Sequence, residues 1–350
     1  MRKIYIDVIR IIGALMVLYI HGGSSGQWER EAMSLPMRIV YMTPATIVPS
    51  AVPLFMMVSG SLLLKREDSI RDIWNKRVIK VMLLILILTI FHCGFDILNG
   101  KNNFSRFIYR LINLDKVNIV YWFMYWWLSF SIMLFCYQQI AKILDKEHII
   151  YIVIFCLLFN TIIPIVNLFL DSGGLEVLKF SNHLSLPLFL SSGFFYPFLG
   201  YYIDNRCGKN KITNNTFLLI FIIIICSIVT MCLNIRFKIN DANMPPRNVF
   251  TPVITACIYL VIKNVFESVE IKVNTVPYKL ITFFGSNTIG VYAFQVLFAM
   301  MFNGIIRDFF YKVVHIKKIA SFLYMIVAFI SLSVVTAALK KVPVFRRALT

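Results

Sequence analysis

Apolar runs of about 20 residues alternate with short polar segments along the whole chain. Ten such runs can be delimited, at 4–23, 46–64, 78–98, 119–141, 148–170, 184–203, 216–234, 248–266, 279–302 and 320–339. A helix needs about 20 predominantly apolar residues to cross the hydrocarbon core of a bilayer. The pattern therefore predicts an all-α, polytopic membrane protein with about ten transmembrane helices. No internal repeat or low-complexity linker interrupts the series, which predicts a single domain over residues 1–350.

The composition also indicates a membrane protein, and it limits the kinds of molecule that the protein is expected to bind. Hydrophobic residues make up 59% of the chain, charged residues only 15%, and the mean hydropathy is +0.77. Soluble domains have about 45–50% apolar residues. The net charge of +18 comes from Lys and Arg in short loops between the apolar runs, which suits anionic lipid headgroups. Because no stretch looks like a basic recognition module, we expect membrane lipids and no nucleic acid as partners. No Cys or His spacing predicts a metal site.

Loop charges predict the orientation. If the N-terminus is cytoplasmic, the cytoplasmic segments hold more Lys and Arg than the outer ones, and the largest contribution is "KREDSIRDIWNKRVIK" (65–80). An even number of spans then places the C-terminus in the cytoplasm too. In the outer loop 99–118, the spacing of apolar residues in "FSRFIYRLINLDK" suits either a short amphipathic helix on the membrane surface or a simple connector.

The first span, "MRKIYIDVIRIIGALMVLYIH", contains three ionisable residues that lipid disfavours, Asp7, Arg10 and His21. Asp7 and Arg10 are three residues apart and therefore neighbours on one helix face. The eleven residues from Arg10 to His21 bring their directions within about 20° and separate them by about 16 Å along the axis. Ionisable residues within a span commonly mark a functional site. The alternatives are an interfacial ion pair for Asp7 and Arg10, and an interfacial histidine for His21.

Five motifs, in order along the chain, carry a resemblance to a known family. They are Asp7–Arg10–His21, "VPLFMMVSGSLLL" (52–64), "WNKRVIKV" (74–81), "VYWFMYWWLSF" (120–130) and "GSNTIGVYAFQ" (285–295). Together they resemble the integral-membrane acyltransferase family 3, which comprises ten-helix O-acyltransferases of surface polysaccharides. The resemblance implies a multi-pass enzyme of the bacterial cytoplasmic membrane. It further implies that an acyl group, most often acetyl, moves from cytoplasmic acyl-CoA (acetyl-CoA) to a hydroxyl of an extracytoplasmic glycan or lipid-linked sugar, without a metal.

The resemblance also assigns roles to residues of the first and third spans. It implies that His21 is the general base, and the ordinary histidine pKa of about 6.5 suits a base working near neutral pH. Asp7 and Arg10 complete the predicted catalytic set, and Arg10 is also a candidate for gripping the phosphates of coenzyme A. Lys76, Arg77 and Lys80 form a second candidate phosphate-binding group. Their alternative role is ordinary positive-inside anchoring.

Substrate-binding candidates lie in the fourth and ninth spans. Trp122, Tyr125 and Trp126 are suited to stacking on sugar rings, and their alternative role is an interfacial aromatic belt. Gln295 stands where many members of the family have His. A glutamine donates and accepts hydrogen bonds but takes no proton at neutral pH. We therefore expect Gln295 to orient the substrate rather than to act as a second base.

Two other functional classes remain open on the sequence. A transporter or flippase of an envelope precursor would also need many spans and buried charges, and would place its site near the bilayer midplane. A membrane receptor or scaffold would tolerate changes at Asp7, Arg10 and His21. The chain contains neither a P-loop nor a G-x-G-x-x-G motif, so ATP-driven transport lacks support.

Overall fold

A computed structural model gives the architecture of the chain. It describes residues 2–21, 34–101, 103–113, 117–180, 192–207, 211, 213–237, 249–269, 271–314 and 317–350. Within these ranges all regular secondary structure is helical. The all-α prediction is therefore confirmed.

The helices follow one another with short connections. In chain order they are α1 (Ile4–His21), α2 (Leu35–Ile47), α3 (Ala51–Leu63), α4 (Ile70–Ile73), α5 (Ile79–Leu98), α6 (Phe104–Asn113), α7 (Trp122–Ile132), α8 (Leu134–Ile143), α9 (Lys146–Leu157), α10 (Ile163–Ser172), α11 (Ser192–Asn205), α12 (Thr216–Arg236), α13 (Thr251–Ser268), α14 (Val276–Phe302), α15 (Asp308–Val313), α16 (Lys317–Leu339) and α17 (Pro343–Leu349). Single turns of 3₁₀-helix at Val48–Ser50, Ile119–Tyr121 and Glu176–Leu178, and of π-helix at Trp74–Val78, Leu158–Ile162 and Asn303–Arg307, adjoin them.

The described residues of the predicted spans are helical except for Leu64, Met133, Val249 and Phe250, which lie in turns. Seven helices of the described chain are long and apolar enough to cross a membrane: Ile4–His21, Met42–Leu63, Ile70–Leu98, Lys146–Ser172, Thr216–Arg236, Val276–Val313 and Ile319–Leu339. An eighth is added if α7 and α8, which meet at an angle of 66°, count as one broken span. Of the predicted run 184–203, residues 184–191 lie outside the described part. The count of about ten transmembrane helices and the cytoplasmic location of both termini stay predictions.

Helix ends follow local sequence signals. The side chains of Ser69, Asp145 and Asn215 each accept a hydrogen bond from a backbone N–H in the first turn of the helix that follows. Such caps satisfy backbone donors that have no partner within the helix. α6 forms within residues 99–118, the segment predicted to be an outer loop, as one of the two interpretations of its sequence predicts, and none of its residues is buried.

Two compact units divide the chain, and each is discontinuous in sequence. The first comprises Met1–Lys65 and Ile140–Thr282, and the second comprises Arg66–Gln139 and Phe283–Thr350. The boundaries at residues 139–140 and 282–283 fall within α8 and α14 and not in a linker. The single domain over 1–350 stays a prediction.

In the first unit, α1 packs against α3 and α13, and α3 packs along α11. Glycines allow α3 and α11 to approach closely. A Cβ atom on Gly60 would overlap the backbone of Pro197, and one on Gly200 would overlap the backbone of Met57. Small residues at such crossings permit backbone contact between membrane helices. Asp7 on α1 is buried within this unit.

In the second unit, α5 packs against α6, α7 and α17. α14 contributes the "GSNTIGVYAFQ" segment, in which a Cβ atom on Gly290 would overlap the side chain of Thr336 on α16. Lys340, the residue that follows α16, connects it to α14 by hydrogen bonds. Its Nζ donates to the Ser286 carbonyl at 2.6 Å and to Asn287 Oδ1 at 2.9 Å. The segment that ends at Gln295 is therefore packed against α16 and hydrogen-bonded to Lys340.

Candidate functional site

Asp7 is buried near the start of α1 and is held by two arginines. Only 2% of its side chain is exposed. Arg2 binds it in a forked arrangement, with Nε 2.6 Å from Oδ2 and Nη2 3.0 Å from Oδ1. This hydrogen bonding raises the pKa of Arg2 above its ordinary value. Arg10 lies one turn further along, with Nη1 3.8 Å from Oδ1. The neighbourhood that the sequence predicts for Asp7 and Arg10 is present, and Arg2 joins it.

His21 is the last residue of α1 and lies at the opposite end of the helix from Asp7. Its side chain is exposed and makes no hydrogen bond with any residue of the described ranges. Because α1 is continuous from Ile4 to His21, the separation of about 16 Å between Arg10 and His21 follows from helix geometry. α1 therefore carries an ionic group at its start and an imidazole at its end.

A second buried carboxylate, which the sequence analysis did not single out, lies beside the start of α1. The Asp204 side chain, near the end of α11, has no exposed surface. Its Oδ2 accepts hydrogen bonds from the hydroxyls of Tyr5 at 2.7 Å, Tyr259 at 3.0 Å and Ser61. A fully buried carboxylate is stable only when charges and donors surround it.

Lysines supply the charges that Asp204 requires. Lys263 Nζ lies 3.1 Å from Oδ1 and also donates to the Ile203 carbonyl at 2.9 Å. Lys3 Nζ lies 3.6 Å from Oδ2. Together with the Asp7 group these contacts set four cations against two carboxylates, so the start of α1 carries an excess of positive charge. We call the following six residues the Asp204 network: Asp204, Tyr5, Ser61, Tyr259, Lys3 and Lys263.

A sequence signal for this network existed. Lys263 is a charged residue inside the predicted span 248–266, and Asp204 directly follows the predicted span 184–203. The rule that ionisable residues within spans mark functional positions applies to Lys263 as it does to Arg10. The pairing itself was not predictable, since Asp204 and Lys263 lie on different helices.

The basic candidates of the third span lie in the second unit, on the π-helical turn Trp74–Val78 and just after it. π-Helical turns inside α-helices are frequent at functional sites. Lys76 is exposed and pairs with Asp72 at 2.7 Å. Lys80 lies over the ring of Trp127, 5.5 Å from its centre. Arg77 is half-buried on the same turn as Lys76.

The aromatic candidates lie on α7 in the second unit and differ in the exposure and the stacking of their rings. Trp126 stacks on Phe123 at 5.3 Å and on Phe130 at 5.2 Å, within its own helix. Trp122 is 45% exposed and touches Phe123 only edge-on. Tyr125 is half-buried. Trp122 is therefore better placed than Trp126 to present a ring face to a ligand.

Gln295 is buried in α14, with 3% of its surface exposed. Neither its Oε1 nor its Nε2 has a hydrogen-bond partner among the described residues. A buried polar group left without a partner costs about 1–3 kcal/mol. The amide is therefore available to a bound molecule.

The described residues contain no group of three or more His, Cys, Asp or Glu side chains suited to hold a metal ion. The arrangement instead offers anion-binding cations at the start of α1 and on Trp74–Val78, an imidazole at the end of α1, and an amide with aromatic rings in the second unit. Cations suit the phosphates of an activated donor, and an imidazole suits proton transfer.

Comparison with known proteins gives one match. The family model for an acyltransferase domain, of the acyltransferase family 3, matches residues 3–339. No curated protein and no solved structure matches the chain. The match extends over nearly the whole chain and includes every candidate residue from Asp7 to Gln295. With its apolar helices, the chain belongs to the acyltransferase family 3 and is a membrane acyltransferase.

Proposed function

We propose that the protein is an O-acyltransferase of the bacterial cytoplasmic membrane. It transfers an acyl group, most often acetyl, from cytoplasmic acyl-CoA (acetyl-CoA) to a hydroxyl of an extracytoplasmic glycan or lipid-linked sugar. The observation that carries the proposal is the layout of α1, where a buried carboxylate paired with arginines at the start and an imidazole that no described residue engages at the end lie on one continuous helix. Acyl transfer requires a bound acyl donor and a general base. α1 provides a candidate for donor binding in Arg10 and a candidate base in His21.

His21 acts as the general base in this reaction. Its free imidazole nitrogen takes the proton of the acceptor hydroxyl while the hydroxyl oxygen attacks the thioester carbonyl carbon. The new C–O bond forms, the C–S bond breaks, and the coenzyme A thiolate leaves and receives the proton. An imidazole that no described residue engages is suited to both proton transfers.

Basic residues bind the phosphates of the donor. Arg10 is 31% exposed and is held by Asp7 on only one side, at 3.8 Å, so its guanidinium retains donors for a phosphate. The charge excess at the start of α1 favours an anion there. In the second unit, Lys76 is exposed, and Arg77 and Lys80 accompany it.

The acceptor sugar is bound by aromatic and amide groups of the second unit. Trp122 presents an exposed ring, with Tyr125 and Trp126 beside it on α7. Gln295 provides an acceptor and a donor that no described residue occupies. Aromatic faces with a few placed polar groups are typical of small-molecule sites.

The test compares base-labile acyl ester on the surface glycans of bacteria that express the wild type, His21→Ala or His148→Ala at equal membrane levels. His148 is the matched control, because it is an exposed histidine whose Nδ1 lies 2.7 Å from Asp145 at the start of α9. We expect ester with the wild type and with His148→Ala, and none with His21→Ala.

Two outcomes would contradict this proposal. Equal ester with the wild type and His21→Ala would exclude His21 as the base. Ester absent from all three strains, together with movement of an envelope precursor that depends on the protein, would favour a transporter.

A further inference from the structure

His92 on α5 begins a buried chain of hydrogen bonds in the second unit. Only 2% of the residue is exposed, and its Nε2 lies 2.6 Å from the hydroxyl of Tyr121. Tyr121, also 2% exposed, donates its proton to the carbonyl of Ala293 on α14 at 2.9 Å. The rings of His92 and Tyr121 meet edge-to-face, with centres 5.2 Å apart. The chain therefore joins α5 to the segment that contains Gln295.

The direction of these hydrogen bonds fixes the protonation of the histidine. A tyrosine hydroxyl has one proton, and in Tyr121 the carbonyl of Ala293 receives it. Tyr121 can then only accept from His92, so Nε2 of His92 carries the ring proton. In the neutral ring the other nitrogen, Nδ1, is a hydrogen-bond acceptor. Nδ1 has no hydrogen-bond partner in the part of the chain that the structure describes.

Gln295 lies two residues beyond Ala293 and adds a second set of unoccupied groups. Both its amide atoms are buried without a partner among the described residues. An edge-to-face contact between Phe91 and Phe294, at 6.4 Å, joins α5 and α14 at this level as well. Buried polar groups are nearly always hydrogen-bonded in native proteins. The buried amide of Gln295, without a partner among the described residues, indicates that a bound molecule supplies its partners, and His92 lies beside Phe91 on the helix that contacts α14 there.

We propose that His92, Tyr121 and Gln295 form a binding site for a hydroxyl-bearing, uncharged sugar, in which Nδ1 of His92 accepts a hydrogen bond from a sugar hydroxyl. The unpaired groups are an acceptor nitrogen, an acceptor oxygen and a donor NH₂. A hydroxyl donates one hydrogen bond and accepts others, so it satisfies this mixture, whereas an anion requires donors alone. We call these three residues the hydroxyl site.

The charged surroundings agree with an uncharged ligand. Asp96 and Arg110 are the charged groups whose fields act on His92, and their signs are opposite. Arg110 reaches from α6 to the level of His92, with Nη1 3.9 Å from Cys93 Sγ. The identification of the ligand of the hydroxyl site as the sugar acceptor rests on the proposed function. It adds a histidine that the sequence analysis assigned to no role.

The decisive variant is His92→Gln. A glutamine amide reaches the position of Nε2 and can still donate to Tyr121, but it places no acceptor at the position of Nδ1. His92→Asn is the complement, because its shorter amide retains a polar group near Nδ1 and loses Tyr121. His148→Gln is the control for a histidine substitution at an exposed position.

Binding is measured without any acyl donor, on the purified full-length protein in lipid nanodiscs. The probes are glucose, rhamnose, N-acetylglucosamine and their disaccharides, and the signal is the change in tryptophan fluorescence. We expect the wild type and His148→Gln to bind at least one sugar with equal affinity. We expect His92→Gln to bind that sugar about tenfold more weakly, as the loss of one hydrogen bond predicts, with an unchanged unfolding temperature.

Either of two results would overturn the hydroxyl site. One is equal sugar affinity of His92→Gln and the wild type, which would leave the chain of hydrogen bonds a purely structural link between α5 and α14. The other is the absence of sugar binding by the wild type. Because no donor is present, both results are independent of whether acyl transfer occurs, so a failure of the proposed reaction and a failure of this site are distinguishable.

Discussion

At the start of α1, the buried carboxylate of Asp204 is surrounded by three hydroxyl groups and two lysines. In the second unit, the buried amide of Gln295 has no partner within the described chain. Both side chains are almost completely shielded from solvent, so burial alone does not separate them. The difference lies in their partners, because Asp204 Oδ2 accepts three hydrogen bonds and Oδ1 lies 3.1 Å from the ammonium of Lys263. Removing one partner of a buried ion pair is strongly destabilising, whereas a buried amide without partners lowers stability by itself.

Removing the charge of Asp204 tests the first half of this comparison. Asp204→Asn leaves the mostly buried ammonium of Lys263 without a counter-charge. Breaking a buried pair from one side costs about 3–5 kcal/mol. We expect the free energy of unfolding in detergent to fall by about that amount, as measured by denaturant titration.

Two further variants check the cause. The double variant Asp204→Asn with Lys263→Met removes both charges and should recover much of the loss. Asp145→Asn changes an exposed carboxylate and should have a far smaller effect. If Asp204→Asn were as stable as the wild type, the network would not be a stabilising element.

Close helix packing in the same unit gives the next largest effect. Gly60→Ala places a methyl group against the backbone of Pro197, which a side-chain rotation cannot relieve. We expect a loss of about 1–3 kcal/mol in unfolding free energy, as for overpacked cores. Gly94→Ala is the matched control, because no atom lies within 4 Å of the position that its new methyl group would take, and it should be neutral or slightly stabilising. Equal effects of the two variants would show that α3 and α11 are not tightly packed.

Replacing Gln295 tests the second half of the comparison and predicts a change of opposite sign. Gln295→Leu has a similar volume and removes an amide without partners among the described residues, so we expect stability to rise by about 1–3 kcal/mol. Acyl-ester formation should fall at the same time, since the acceptor loses its amide contact. Denaturant titration and the glycan-ester assay measure the two effects. A fall in stability would mean that the amide is already paired in the folded protein.

The smallest effect on stability is expected at Lys76. Its pair with Asp72 is exposed, and such pairs within one helix contribute about 0.3–0.5 kcal/mol. Lys76→Ala should therefore leave unfolding almost unchanged, while the KM for acyl-CoA rises because a phosphate contact is lost. Lys146→Ala, at the exposed start of α9, is the control. An unchanged KM would leave Lys76 with the anchoring role.

The site could be predicted from the sequence only where a single helix contains it. Asp7, Arg10 and His21 share α1, so the helical repeat alone places Asp7 beside Arg10 and His21 about 16 Å beyond. Asp7 and Arg10 are neighbours as expected, with Nη1 of Arg10 3.8 Å from Oδ1 of Asp7. Arg2 was not predicted as a partner of Asp7, since it precedes the helix and its direction depends on the folded chain.

The helical class, the apolar segments and the family follow from the chain alone, because hydrophobic runs and motif order are properties of the sequence. Which polar residues find partners depends on the folded arrangement. Tyr5, Asp204 and Lys263 come from three helices, and His92, Tyr121 and Ala293 come from three separate segments. Contacts between distant segments depend on how helices pack, which the repeat of any one helix does not encode.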